Sequence, residues 1–450
     1  MKLPASNLED AFNACDPAQP LPAGDERYVD LAPGRGSDGN AAVQCHRRIV
    51  RSEKPLVQLF AGHRGCGKST ELRRLQSDLE QEGFFVAYIE AHKDIDLEDT
   101  EPTDVLLSLI RSLDLSLRQA GIEVSEKLLN EFTDWFAEVV LEKTQRTEIE
   151  AEVRSEAEIG GRFPLFAKLL ARFSGWIKTG TESKKQVRQR LDPQLSQLLA
   201  RGKLFVTEAR RAAKEKEKKD LVLIVDSLDL IALKDLGDGR TSHEALFIER
   251  GNLLNGLGCH MVVTVPISLL FSPRASNLGA IFPDRHILPM VKIAERSTRV
   301  RFDTGRALLK ELLKHRLALN VVFEGRTLDK LIEASGGHPR HLMTLVRYAL
   351  DFVDELPLAE EAIDRAFKRL VNDFDRSIPH NHWPLLVEVH AQQAVKNDAE
   401  HQLMLYNLSV LEYQNDERWC DVHPAVLETR AFQEASRNQP QLVLQHGSTS

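Results

Sequence analysis

The chain has 450 residues, 42% of them hydrophobic and 28% charged, the balance of an ordinary soluble globular protein with room for roughly two to four domains. A formal net charge of −8 gives no support for non-specific nucleic-acid binding, which calls for a strong basic surface. No apolar run approaches the roughly 18 residues that span a bilayer, and five scattered cysteines without zinc spacing suit a reducing cytoplasm rather than a disulfide framework.

Residues 1–24 are polar and acidic, lack the apolar core of a secretory signal, and read as a flexible or loosely docked leader. A short run with Arg27, Tyr28 and Val29 precedes a loop rich in Gly, Pro and Ser at 33–39. The apolar residues 56–61 predict a buried parallel strand. A glycine-rich loop follows, and then a helix over 69–81 with Leu72, Leu75 and Leu79 on one face. A second strand is predicted over 84–90. After it come an acidic loop at 94–101 and a helix over 105–120 capped by Thr103 or Asp104.

Residues 121–218 are helical by propensity and highly charged, with acidic 148–152 and basic 214–219. Such runs predict solvated helix faces or a mobile connector, broken at Gly160-Gly161 and between Gly175 and Gly180. Further strands are predicted over 221–226, 259–265 and 287–291. Five short apolar strands separated by helices predict an α/β fold with a five-stranded parallel sheet covered on both faces. Residues 304–375 are helical, with Leu308, Leu309, Leu312 and Leu313 as one stripe. A small last unit precedes a tail at 436–450 read as poorly ordered.

The loop reads Gly62-His63-Arg64-Gly65-Cys66-Gly67-Lys68-Ser69-Thr70, a complete G-x-x-x-x-G-K-[ST] phosphate-binding sequence. Its glycines let backbone N–H groups converge on a polyanion, and the following helix adds its N-terminal amides. Lys68 would reach the β- and γ-phosphates, and the Ser69 hydroxyl would hold Mg²⁺. The strand at 221–226 ends in Asp226, where parallel sheets place ligands, with Asp229 three residues on. Asp226 is assigned to Mg²⁺ opposite Ser69, and Asp229 to polarising the attacking water. Thr264, near the end of the adjacent strand, reads either as a contact to the γ-phosphate or the water, or as a strand residue with a satisfied hydroxyl. Gly336-Gly337-His338-Pro339-Arg340 marks a turn into a helix. Pro339 stands near its first position, and Arg340 in its first turn is disfavoured without a nearby anion.

These three motifs together resemble the STAND and initiator-type branch of the AAA+ ATPases. The resemblance implies a P-loop NTPase (ASCE/AAA+-like) core over 25–120 and 219–300, a charged helical insertion over 121–218, a helical lid over 301–378 and a winged helix over 379–435. Asp226-Ser227-Leu228-Asp229 resembles the STAND Walker B sequence, Gly337-His338-Pro339 its G-x-P motif beside the adenine, and Arg340 a sensor-2 arginine. It implies ATP and Mg²⁺ as ligands, and self-association or a separate effector protein as partner. The biological setting it implies is bacterial conflict and antiphage systems. Ser227 departs from the glutamate that follows the Walker B aspartate in standard AAA+ proteins, which implies slow hydrolysis. Arg250, Arg274 and Arg285 are candidate arginine fingers, each more often a surface arginine. The runner-up is a DNA-binding initiator, loader or transposition regulator. Residues 381–450, with four Lys/Arg against nine Asp/Glu, oppose phosphate contacts and favour a winged helix that faces protein.

Overall fold

The computed structural model describes residues 2–36, 40–141, 165–179, 182–237, 239–415 and 417–439. Its centre is a parallel sheet of β1 (Val57–Gly62), β2 (Phe85–Glu90), β3 (Leu221–Asp226), β4 (His260–Pro266) and β5 (Arg285–Leu288), in the order β2-β3-β4-β1-β5. The order places β4 between the strand that feeds the phosphate loop and the strand that ends in Asp226. The register is regular, with Phe60 beside Thr264 and Glu90 beside Asp226. The fifth strand begins two residues before its predicted start.

Strand alternation divides the core. Val222 and Ile224 face Leu72, Leu75 and Leu79 of the Lys68–Gln81 helix. Leu221, Leu223 and Val225 face the other side, covered by the Pro102–Gln119 and Leu195–Glu215 helices. Both faces are dry, which is why these strands read as continuous apolar runs.

The insertion departs from a solvated connector. Helices Glu126–Val140, Leu165–Thr179 and Leu195–Glu215 enclose an aromatic cluster continuous with the sheet core. Phe136 and Phe173 lie 4.5 Å apart, Phe132 and Phe166 5.3 Å, and Phe166 and Phe205 5.6 Å. Gly175 lies inside a continuous helix rather than at a break. The acidic run 148–152, Gly160-Gly161 and Gly180 lie outside the described residues. The basic run at 214–219 is exposed, as expected.

An ion network around the buried Lys184, Arg188 and Asp104 ties the insertion to the loop after β2. Lys184 Nζ lies 3.1 Å from Asp96 and 2.9 Å from Asp99, and Arg188 binds Asp99, Glu101 and Asp104. The following helix starts at Pro102 with Glu101 as its N-cap, and Asp104 returns the bond from the third position, so neither predicted cap holds.

The leader is docked rather than loose. Its helix Leu8–Ala14 buries Ala11, Ala14 and Cys15 against the lid, and Ala5 exchanges backbone hydrogen bonds with the lid at Arg316 and Ala318. The lid comprises Asp303–Lys314, Thr327–Ala334, Pro339–Leu350 and Glu360–Ser377. Beyond it stand Trp383–Gln392, Ala399–Tyr406 and a hairpin of β6 (Val410–Gln414) and β7 (Arg418–Val422), as a winged helix requires. The chain then forms a helix, Arg430–Asn438, capped by Thr429, so order extends past the predicted start of the tail. Residues 440–450 lie outside the described residues. The hairpin docks on the core: Met290 N donates to Glu412 O at 3.0 Å, and Leu411, Tyr413 and Trp419 join the cluster around Leu72.

The aromatic cluster makes the insertion part of the folding unit. Phe173→Ala is expected to cost about 3–5 kcal/mol, read as a lower denaturant midpoint for the whole chain. Lys216→Ala, on the exposed run, is expected to stay within about 0.5 kcal/mol.

Candidate nucleotide site

β1 delivers the chain into the phosphate loop at Gly62, and the helix begins at Lys68. Gly67, the N-cap, has φ 108° and ψ 13°, a left-handed conformation that glycine adopts without strain. Gly65 has φ 83°, and a Cβ there would lie 2.7 Å from both the Arg340 Cβ and the His338 Cε1. Glycine is required here for the turn and for the close approach of the lid. Arg35, buried, donates to Cys66 O and to Pro289 O at 2.7 Å each, pinning the loop's far side to the chain beyond β5.

Lys68 is buried, and its Nζ donates to Gly62 O and His63 O at 2.8 Å and lies 2.9 Å from Asp229 Oδ2. Burial works against the ammonium, but Asp229 and Asp226 outweigh it and its pKa is raised. Asp229 is therefore in the site, engaged by the phosphate lysine. Asp226 Oδ1 accepts from Ser227 N at 2.7 Å and Oδ2 from the Tyr88 hydroxyl at 2.8 Å. Burial and the neighbouring Asp229 raise the Asp226 pKa, against hydrogen bonds from Ser69, Tyr88 and Ser227 that lower it. Ser227 itself is left-handed at φ 71°, which turns the chain so that Asp226 and Asp229 both face the loop.

Thr264 is fully buried, accepts from Leu228 N at 3.0 Å and donates to Val225 O at 3.3 Å. Its hydroxyl is thus spent on tying the β3 turn to β4. Of its two readings, the satisfied strand hydroxyl describes this arrangement.

The lid closes the site from above. Pro339 opens its helix, and the N-cap His338 accepts from His341 N through Nδ1 at 3.1 Å while Nε2 donates to Arg64 O at 2.8 Å. Arg340 projects into the cleft, exposed and without a polar partner among the described residues.

The cleft has a volume of about 560 Å³, within the range of small-molecule sites. It is lined by loop residues 64–70, Asp226, Asp229, Pro339 and Arg340 from the predicted set. Tyr28, Leu31 and Met343 supply an apolar wall, and the leader closes one side, with Leu21 N donating to Thr70 Oγ1 at 3.2 Å. Gly62, His63 and Thr264 do not line it, nor do Arg250, Arg274 or Arg285. Arg274 is paired with Glu249 at 2.8 Å. The arrangement fits a nucleoside triphosphate: a loop of convergent amides, a lysine, a hydroxyl beside an aspartate suited to a hard cation, and an unpaired arginine opposite.

His63 and Arg64 instead face the winged helix. His63 Nδ1 donates to Leu405 O at 3.2 Å, and its Nε2 accepts from Glu412 N at 2.8 Å. Arg64 Nη2 donates to Leu230 O at 3.1 Å and to the Tyr406 hydroxyl, with the guanidinium 4.0 Å above that ring. The predicted phosphate-loop positions 63 and 64 are thus interdomain contacts, and Arg64 alone of the two also reaches the cleft. A buried histidine cluster continues from there. His338 stacks on His341 at 4.0 Å, and His423 Nε2 donates to His341 Nδ1 at 2.9 Å, since its Nδ1 accepts from Ala425 N. Burial holds His63 down to about 3 and His341 to about 4, and keeps His338 and His423 well below 6.5. Among the described residues, Glu412, buried in the same junction, has no hydrogen bond to either carboxyl oxygen and only Arg418 at 3.8 Å. Burial pushes it up to about 7.

Sequence reasoning missed Arg35, Tyr88, the leader wall and the junction role of the histidines. His338 was in view as part of a turn motif, but its bond to Arg64 joins residues 274 positions apart and left no local signal.

Fold and loop together define a P-loop NTPase of the ASCE/AAA+-like type, with helical insertion, lid and winged helix. No family model matches the chain, and no curated protein matches it. Among solved structures it is similar to CDC6P of Pyrobaculum aerophilum, at 12% identity and TM-score 0.41 over 97% of this chain and 100% of that one. It is also similar to ORC1 of Aeropyrum pernix in complex with DNA, at 13% identity and TM-score 0.37 over 93% and 97%. A third is a Walker-type ATPase of Pyrococcus abyssi, at 13% identity and TM-score 0.32 over 88% and 95%. At these scores the likenesses add nothing to the strand order and loop geometry, which carry the fold class.

The junction has opposite pH responses. Between 4.5 and about 7 the unfolded chain ionises Glu412 before the folded one does, so rising pH removes stability, by up to roughly 1.4 kcal/mol per pH unit. Below 6.5 the unfolded chain protonates its histidines first, so falling pH removes stability towards about 3. The melting temperature of Glu412→Gln relative to the unaltered chain is expected to rise across the Glu412 window and level off above it. A difference that does not change with pH counts against the buried carboxyl.

Proposed function

We propose that this chain is an ATP-binding, slowly hydrolysing ATPase of STAND/AAA+ type that works as a conformational switch. One observation carries the reading: the phosphate loop is bonded at once to the lid, through His338 and the Gly65–Arg340 contact, and to the winged helix, through His63 and Arg64. Whatever occupies the loop bears on both.

The loop amides and Lys68 bind the β- and γ-phosphates, and Arg340 completes their neutralisation from the lid. The base lies against Tyr28, Leu31, Pro339 and Met343. Ser69 and Asp226 are the residues suited to hold Mg²⁺, which when bound neutralises charge on the phosphates. Asp229 is assigned to orienting water, and its bond to Lys68 weakens as phosphate oxygens compete for the ammonium. Thr264 supports the turn that carries both aspartates. The reaction is ATP and water to ADP and phosphate. Serine at 227 supports slow turnover and a role set by which nucleotide is bound. The response to that nucleotide is self-association or release of a surface for a separate effector protein. The resemblance extends the setting to bacterial antiphage defence.

Lys68→Ala is expected to weaken nucleotide binding at least about 100-fold in a fluorescent-nucleotide titration. Arg340→Ala is expected to weaken ATP by about tenfold or more and ADP by less, the loss of a charge-assisted contact to the terminal phosphate. Wild-type affinity in Lys68→Ala sinks the reading. Native mass with ATP, ADP or neither tests the assembly step, and DNA-stimulated turnover with a steep salt dependence would move the assignment to a DNA-loading ATPase.

A further inference from the structure

β2 carries no nucleotide motif, yet its Tyr88 reaches the site from the neighbouring strand. Tyr88 stands on the sheet face covered by the Lys68–Gln81 helix, the face shared by Val222 and Ile224 and, two residues on, by Asp226. Its hydroxyl donates to Asp226 Oδ2 at 2.8 Å and lies 3.5 Å from Ser69 O. The other carboxyl oxygen, Oδ1, accepts from Ser227 N at 2.7 Å. The carboxylate is thus held from two different elements, by Ser227 N on one oxygen and the Tyr88 hydroxyl on the other, with the Ser69 hydroxyl beside it.

The tyrosine is itself held. The Arg73 guanidinium covers its ring at 3.7 Å, and Arg73 pairs with Glu90 at 3.1 Å. Arg73 is one turn past Ser69 on the same helix, so the tyrosine is braced by the element that carries the loop's serine. Glu90 and Asp226 are register partners, which closes the circuit between the two strands.

We infer that Tyr88 is a positioning residue for the cation site, fixing Asp226 so that its remaining lone pairs face the Ser69 hydroxyl. This rests on the nucleotide reading above. A carboxylate that turns freely about its Cα–Cβ and Cβ–Cγ bonds meets a hard cation less often in a productive orientation, and a hydrogen bond to a charged group is stronger than one between neutral groups. Loss of the hydroxyl therefore acts on cation affinity and leaves the phosphate loop and base wall intact.

Tyr88→Phe keeps the ring beneath Arg73 and removes only the donor. Mn²⁺ serves as the probe, with free Mn²⁺ read by electron paramagnetic resonance in the presence of saturating ADP. ADP affinity is read separately by calorimetry in EDTA. The expected result is about a tenfold weaker Mn²⁺ affinity, with metal-free ADP affinity within about twofold of the unaltered protein. Arg73→Met, which keeps the hydroxyl but loosens the ring, is expected to shift Mn²⁺ affinity in the same direction by less. An unchanged Mn²⁺ affinity in Tyr88→Phe overturns the inference, as does an equal loss of metal-free ADP binding. Absence of ADP binding by the unaltered protein would instead defeat the nucleotide reading, and this inference with it.

Discussion

The molecule depends on the imidazole of His63, which sits inside the phosphate loop yet bonds to the winged helix. Its Nδ1 proton goes to Leu405 O and its Nε2 lone pair takes Glu412 N, so both ring nitrogens are committed and the neutral tautomer is fixed. Removing the ring would leave a buried carbonyl and a buried amide unpaired, each at about 1–3 kcal/mol. The same strand of the hairpin is held a second time, by Met290 N on Glu412 O. The winged helix is thereby an added layer on the core rather than a tethered module.

A junction built this way must exclude charge. His63, His338, His341 and His423 pass protons and lone pairs among themselves and to backbone groups, a pattern available only to neutral imidazoles. Protonating any one turns an acceptor nitrogen into a donor facing a donor. Glu412 presents the converse case, a carboxyl whose neutral form suits its buried setting and whose ionised form does not. The contact that joins the three parts of the molecule is thus sensitive to a change of protonation, and Arg418 is too far at 3.8 Å to hold the ionised form with a hydrogen bond.

What the sequence made legible follows from how local each signal is. β3 falls on the predicted residues because a strand buried on both faces is a continuous apolar run with an abrupt polar end. The loop and Asp226 are legible because phosphate and cation chemistry constrains neighbouring residues to fixed types. The insertion was misjudged because charge drew attention from spacing: Phe132 and Phe136, one turn apart, already form a helical stripe. The docked leader was hidden in short alanines, whose burial depends on a lid some 300 residues away. Thr264 was left open because a strand threonine reads the same whether it meets phosphate or backbone. Tyr88 and Glu412 were invisible, since a strand tyrosine and a strand glutamate acquire meaning only from the elements laid beside them.

Arg64 joins the cleft to the winged helix without a long relay. It lines the cleft, yet its guanidinium is held by Leu230 O, on the turn of Asp229, and by Tyr406. Its Nε is buried without a partner, so the group is incompletely satisfied where it stands. An anion in the loop would offer a competing partner to a guanidinium that has surplus donors, and any share taken from Nη2 would come from its bonds to Leu230 O and the winged-helix Tyr406. By linkage such an effect would be reciprocal: a winged helix that held Arg64 more tightly would lower the affinity for that anion by the same factor. Lys68 and Asp229 repeat the logic one residue layer away, with an internal carboxylate occupying the lysine that a phosphate would claim. Two cations in one loop are each tied to a different internal partner, Lys68 to Asp229 and Arg64 to Tyr406, so a nucleotide bound there would compete with the docked arrangement.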